Sequence, residues 1–276
     1  MKKILSMLLV LCMALTLCSA AFAEGKSPVD GMTVAFIPKV SGNSFFEAAN
    51  DGAQKYAKEW GLTVDYIGAP TADVTTQLEL IQQAIDKGVD AICISSVDAT
   101  GLDEKLQEAQ DAGIYVSTWD SDVSPNARAL MVSQGTASVL GPMLVEMAVD
   151  SLKERGVDVN GEVKYVWHFS NPSVSDQNSW YVAGDAYIKE KYPTWVAVHD
   201  PYYSNQDPAQ SVSVGESILD AYPDVDVIIC NDSTALPGQC KAAENKGLTA
   251  KDITITGWQP GGNYEGTITE KEQERQ

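Results

Sequence analysis

The sequence of 276 residues is poor in several things, and each shortage removes a class of function. It has only two histidines, His168 and His199, far apart and without paired spacing, so a histidine-built metal centre is excluded. Basic residues number 19 against 38 acidic ones, a formal net charge of −19. Such a chain is repelled by nucleic acid and by anionic lipid. Arginine is confined to Arg128, Arg155 and Arg275, and no glycine-rich phosphate loop occurs, which argues against a site for phosphate-like anions. No G-x-S-x-G nucleophile elbow is present. Asp120-x-Asp122 resembles a metal-binding pair but lacks the further oxygen ligands of a calcium loop.

Long hydrophobic runs are lacking too, with one exception at the start. Lys2 and Lys3 precede an apolar run from Ile4 to Leu17, and Ala21-Phe22-Ala23 follows with the small residues that signal cleavage needs. Residues 1–23 therefore read as a secretory signal and the protein as periplasmic or otherwise extracytoplasmic. A lipid anchor at Cys18 is the rival reading, weakened by Leu17 before it. Of the five cysteines, Cys93, Cys230 and Cys240 lie beyond this leader. An odd number in an exported chain predicts buried free thiols rather than a disulfide framework, with a Cys230–Cys240 bridge as the alternative.

What is present is a repeated unit: a helical stretch ends at a glycine and a short β-branched strand follows. Asp51 to Trp60 stops at Gly61, TTQLELIQQAIDK at Gly88, DEKLQEAQDA at Gly113 and GQCKAAENK at Gly247. Asp207-Pro208 marks a helix start, and Thr136 is placed to cap a helix carrying Leu140, Leu144, Met147 and Leu152 on one face. The expected strands are Thr33–Ile37, Thr63–Ile67, Ala91–Ser95, Tyr115–Trp119, Val163–Phe169, Val196–His199, Val227–Cys230 and Ile253–Gly257. Alternating strands and helices predict an α/β fold with parallel sheets. So many strands favour two lobes, residues 30–131 and 132–257, with a break near 130–135.

Ligands of open parallel sheets bind beyond the carboxyl ends of the strands. The residues there are Lys39 and Phe45 after the first strand, Ser95 and Ser96 after the third, and Asp120 and Asp122 after STW. Asp176 and Gln177 follow YVWHF, and Asn231, Asp232 and Ser233 follow VIIC. Carboxylates accept hydroxyl hydrogen bonds, lysine and glutamine donate, and Phe45 or Trp119 offers a flat apolar wall. That set fits a small neutral polyhydroxylated ligand. Each residue also has a structural reading: Lys39 as a solvated loop lysine, Phe45 or Phe46 as core, Asp122 as a loop cap, Asp176 as a first-turn acid, Trp119 as packing. Asp120 and Asp176 as the carboxylate pair of a glycosidase is the enzymatic alternative, disfavoured because no group is set up for proton transfer.

The stretches IPKVSGNSFFEAANDGAQ, STWDSD, VSQGT with LGPMLVEMA, SNPSVSDQNSW and DAYPDVDVIICNDSTALPGQCKAAENKG together resemble the type I periplasmic sugar-binding proteins of ABC transporters. Within them the chain is most similar to the Lsr-type autoinducer-2 receptors and their rhamnose-binding relatives. The resemblance implies two Rossmann-like lobes closing on a ligand, no cofactor, no catalysis, and a monomer that meets a membrane permease. A chemoreceptor or sensor kinase is a further partner, and autoinducer-2 is the first ligand, with rhamnose or another monosaccharide as the alternative. It also implies ligand contacts at Lys39, Phe45, Asp120, Asp176, Gln177, Asn231 and Ser233. At the last two the resemblance to the autoinducer-2 receptors implies Pro and Ala, so Asn231 adds a side-chain donor and Ser233 a hydroxyl. The family continues well beyond the equivalent of Trp258, so residues 258–276 read as the start of a return crossover that is incomplete here.

Overall fold

The computed structural model describes residues 27–258. The expected signal at 1–23 and all of the expected crossover after Trp258 lie outside the described residues.

Two parallel sheets organise the chain. The first has the order β2-β1-β3-β4-β5, from β1 (Thr33–Ile37), β2 (Thr63–Tyr66), β3 (Ala91–Ile94), β4 (Tyr115–Trp119) and β5 (Leu130–Val132). Its register aligns Val34 with Ala91 and Ala91 with Tyr115, so the strands end together. The second sheet has the order β10-β9-β6-β7, with β8 also pairing with β6. Its strands are β6 (Lys164–Phe169), β7 (Val196–Ala197), β8 (Tyr202–Tyr203), β9 (Val227–Cys230) and β10 (Thr254–Gly257). β9 and β10 are buried along their whole length, as strands covered on both faces must be.

Helices α1 (Ser44–Trp60), α2 (Val74–Lys87) and α3 (Asp103–Asp111) connect the first sheet, and α4 (Ala137–Glu154) passes to the second. α5 (Ser175–Lys191), α6 (Pro208–Ala221) and α7 (Ala235–Asn245) complete it. The predicted stops hold: Gly61 and Gly88 are left-handed caps at φ 74° and 67°, a backbone glycine adopts without a Cβ clash. Asp207 caps α6 by accepting the Gln210 N–H at 2.8 Å. Thr136 stands at the cap of α4, but its side chain makes no capping bond.

The first core packs Ile37, Ile81, Ile92, Leu106 and Val116. The second sheet has a core on each face: Leu144, Leu152, Trp167 and Ile229 on one, Val166, Ile218, Ile228 and Ile255 on the other. Cys93, Cys230 and Cys240 are thiols outside any disulfide, so the Cys230–Cys240 bridge is not formed.

One strand expectation is corrected, and one strand was not expected. The single strand at Val196–His199 is two short ones, β7 and β8, each paired with β6. Pro201 between them has no N–H to give a ladder, and His199 Nδ1 turns to the Asp200 carbonyl at 2.7 Å. β5 carries no sequence signal because it is a short edge strand with Leu130 and Val132 exposed.

Candidate ligand-binding site

Residues beyond β1, β4, β9 and β10 line one cavity of about 800 Å³. Lys39, Phe45, Asp120, Asp176, Gln177, Asn231 and Ser233 all lie on its wall. They come from both sheets and from residues up to 194 positions apart in sequence numbering, Lys39 to Ser233.

Lys39 is 3% exposed, against the solvated-lysine reading. Its ammonium lies 2.9 Å from Asp120 Oδ2 and 3.4 Å from Asp176 Oδ1. Burial presses the Lys39 pKa down, and Asp120 and Asp176 outweigh it, leaving the pKa above its ordinary value. Asp120 has the left-handed φ of 61°, tolerated by aspartate better than by most side chains. Its N–H donates to the Val132 carbonyl at 3.0 Å, which pins this turn to β5. Ser95 Oγ donates to Asp120 Oδ2 at 2.6 Å, and Gln134 Nε2 donates to Oδ1.

Asp176 stands in the first turn of α5. Ser121 Oγ donates to its Oδ1, while its Oδ2 is buried without a protein partner. Burial pushes this carboxyl up to about 6; Lys39 works against that shift and Asp120 adds to it. Gln177 uses its amide within the protein: Oε1 accepts the Ser170 N–H at 3.0 Å and Nε2 donates to Asp232 Oδ2 at 2.9 Å. The expected donor of Asn231 is also engaged, with Nδ2 2.6 Å from the Gln177 carbonyl. What Asn231 keeps unpaired is therefore Oδ1, a buried acceptor.

Ser233 reaches across the cleft. Asn43 Nδ2 lies 3.2 Å from Ser233 Oγ and 3.0 Å from Thr234 Oγ1, while Asn43 Oδ1 caps α1 at the Phe45 N–H. On the other side Ser175 Oγ accepts the Asp122 N–H at 3.0 Å.

The aromatic residues on the wall are Phe45 and Phe46 from the first sheet's side and Trp180 and Trp258 from the second's. Trp119 stacks behind, 4.6 Å from Phe36 and 6.3 Å from Phe45, as packing. Asp122 is likewise structural. Arg128 grips it at 3.0 and 2.7 Å and Thr118 donates at 2.5 Å; against its partial burial, these hold its pKa below the ordinary value.

Two polar lining residues were missing from the sequence reading, Gln134 and Gln206. Asp232, read there as a strand-end residue but not among the contacts the resemblance implies, also lines the cavity. Gln134 and Gln206 come from connections, where a glutamine carries no local signal of its direction. Among the described residues no three His, Cys, Asp or Glu side chains are placed to hold a metal, and no helix is long and apolar enough to cross a membrane.

The periplasmic binding protein domain model matches residues 34–270. The structure of LsrB from Clostridium saccharobutylicum in complex with AI-2 is 60% identical, with a TM-score of 0.82 over 83% of this chain and 71% of that one. A solute-binding protein from Clostridium phytofermentas with bound L-rhamnose is 24% identical over 86% of this chain and 74% of that one, TM-score 0.77, a likeness of fold. The D-ribose/D-allose-binding protein of Pseudomonas aeruginosa is 30% identical over 132 residues, 45% of this chain and only 41% of that protein's length. The chain belongs to the periplasmic binding protein domain family. It is a solute-binding protein of the kind that serves sugar ABC transporters, on the type I fold its two parallel sheets display.

Proposed function

We propose that this protein, exported by its N-terminal signal, captures a small neutral polyhydroxylated molecule between its two lobes and delivers it to an ABC permease. The first ligand is autoinducer-2; rhamnose or another monosaccharide is the second reading. One observation carries the ligand class. A single buried ammonium, Lys39, is surrounded by the carboxylates of Asp120, Asp176 and Asp232, all on the cavity wall. Carboxylates outnumber the cation, so an anionic ligand is repelled, while hydroxyl groups find acceptors. Autoinducer-2 ranks first on the 60% identity to a receptor solved with AI-2.

Binding without turnover is supported by how the carboxylates are used. Lys39 touches both Asp120 and Asp176, and Ser95 and Ser121 hold them further, an arrangement for fixed acceptors rather than for a proton shuttle. A monomer is supported because one chain supplies both sides of the cavity. The same closed cleft serves a chemoreceptor or sensor kinase as partner, which makes quorum sensing the second use of the complex.

The test is a thermal shift followed by calorimetric titration with AI-2, L-rhamnose and D-ribose. A ligand at a hundred times its Kd stabilises the folded state by about 2.7 kcal/mol. Saturable binding of AI-2 tighter than of either sugar supports the first reading. No shift with any of the three, or release of product from aryl glycosides, overturns it.

A further inference from the structure

Three residues that line the cavity each carry a buried oxygen with no hydrogen-bond partner within the protein: Asp176 Oδ2, Gln206 Oε1 and Asn231 Oδ1. All three are acceptors, and their identity follows from what the rest of each group touches. Gln206 Nε2 lies 3.2 Å from Asp232 Oδ2, a carboxylate that only accepts, so the amide nitrogen must face Asp232 and the oxygen must face away. Asn231 Nδ2 faces the Gln177 carbonyl at 2.6 Å, which orients its oxygen by the same reasoning. Asp176 commits Oδ1 to Ser121 and Lys39, leaving Oδ2.

Gln206 is the member that sequence reading did not find. It is 5% exposed and follows Asn205, both with left-handed φ, 57° and 50°. Two consecutive non-glycine residues in that region are disfavoured, and the turn holds through the Asn205 N–H on the Ser170 carbonyl at 2.9 Å and the Asp207 N–H on the Ser204 carbonyl at 2.8 Å. Asp232 does not depend on Gln206, since it also accepts Gln177 Nε2 at 2.9 Å and the N–H groups of Thr234 and Ala235 at 2.9 and 2.8 Å. The Gln206 amide is thus held by Asp232 rather than needed by it, and its carbonyl is left without a protein partner on a residue that lines the cavity.

We propose that Gln206 is a ligand-contacting, specificity-determining residue that forms, with Asp176 and Asn231, a wall of three acceptors selecting molecules that present three hydroxyl donors to it. The inference rests on the binding function proposed above and narrows its ligand class to polyols with donors on one side. A carbonyl or carboxylate directed at this wall meets only acceptors and is rejected.

The experiment is calorimetric titration of the full chain and of Gln206→Met, a side chain of the same length without hydrogen-bonding atoms. Gln206→Ala is the second variant, and circular dichroism melts check folding of both. The probes are AI-2, L-rhamnose, D-ribose and the derivatives of each sugar lacking one hydroxyl. The wild type is expected to lose ten- to a hundredfold in affinity when the hydroxyl facing Gln206 is deleted from the probe. The variants should bind that derivative and its parent within threefold of each other, while still discriminating at the other positions. Variants that bind every probe with wild-type ranking, or lose affinity for all by one common factor, overturn the role of Gln206 and leave the binding function standing. A wild type that binds none of the probes overturns the binding function, and this inference falls with it.

Discussion

Lys39 Nζ lies 3.4 Å from Asp176 Oδ1, so one buried charge pair joins the end of β1 in the first sheet to the first turn of α5 against the second. With Asp120 at 2.9 Å, the ammonium is shared between two carboxylates on opposite sides of the cleft. Removing one partner from such a group leaves a buried charge undercompensated, which costs more than the pair itself contributes.

Replacing Asp120 by Ala is therefore expected to weaken ligand binding by about 2 kcal/mol or more, roughly thirtyfold, because it unpairs Lys39 and removes an acceptor. Calorimetric titration of Asp120→Ala measures this directly. Affinity close to wild type would sink the assignment of Asp120 to the site.

Binding should also depend on pH through Asp176. Its carboxyl, pushed up to about 6 by burial, faces Lys39 and Asp120, with Asp232 on the same wall. A ligand hydroxyl donating to Oδ2 favours the ionised form, so binding lowers this pKa and affinity falls as pH drops below about 6. The slope is at most about tenfold per pH unit for one proton. Titrations from pH 7.5 to pH 5 should show the fall in wild type and a flatter profile in Asp176→Asn. An unchanged slope in that variant removes Asp176 as its source.

The cross-cleft bonds from Asn43 to Ser233 and Thr234 are expected to act on closure rather than on the ligand. Ser233→Ala with Thr234→Val removes both acceptors and leaves the Asn43 cap on Phe45 intact. Each lost bond is worth about 0.5–1.5 kcal/mol, so affinity should drop by a similar factor for AI-2, L-rhamnose and D-ribose alike. A change in their ranking would show that these hydroxyls meet the ligand after all.

Asn231→Pro with Ser233→Ala, the pair that the resemblance to the autoinducer-2 receptors implies at these positions, is expected to act differently. It deletes the Asn231 acceptor from the cavity wall, so sugars that use it lose affinity relative to AI-2. An unchanged order of AI-2, L-rhamnose and D-ribose in titrations means that Asn231 does not select the ligand.

His168 sets an acid limit on stability. Burial lowers its pKa to about 3, so the folded protein keeps it neutral beside Gln239, 2.7 Å away. An unfolded histidine takes up a proton near 6.5. The neutral folded form therefore contributes stability that is present above 6.5 and lost as pH falls from there towards about 3. Asp176 runs the other way: its raised pKa favours the folded state below the unfolded value near 3.9, and that contribution is lost as pH rises through about 6. Urea melts between pH 7 and 4 in an Asp176→Asn background remove the opposing contribution of that carboxyl. His168→Asn in that background should flatten the remaining acid slope; an equal slope assigns it to other groups.

The local order of the chain was readable residue by residue. Glycine caps at Gly61 and Gly88, the Asp207-Pro208 start and the β-branched strands are short-range effects of backbone sterics and capping, and they suffice to predict alternating helices and parallel strands. Because parallel strands end on one edge, the residues after them were also predictable as wall residues, and Lys39, Asp120, Asp176 and Asn231 lie there. What only the tertiary structure decided is how each polar group is spent. Asn231 gives its nitrogen to the Gln177 carbonyl, 54 positions away, and Ser233 meets Asn43, 190 away. Gln134 and Gln206 swing in from connections that no periodicity marks. A hydrogen bond is decided by a few tenths of an ångström between atoms brought together by the packing of two sheets, and residue type alone does not say which atom of an amide is left to face a ligand.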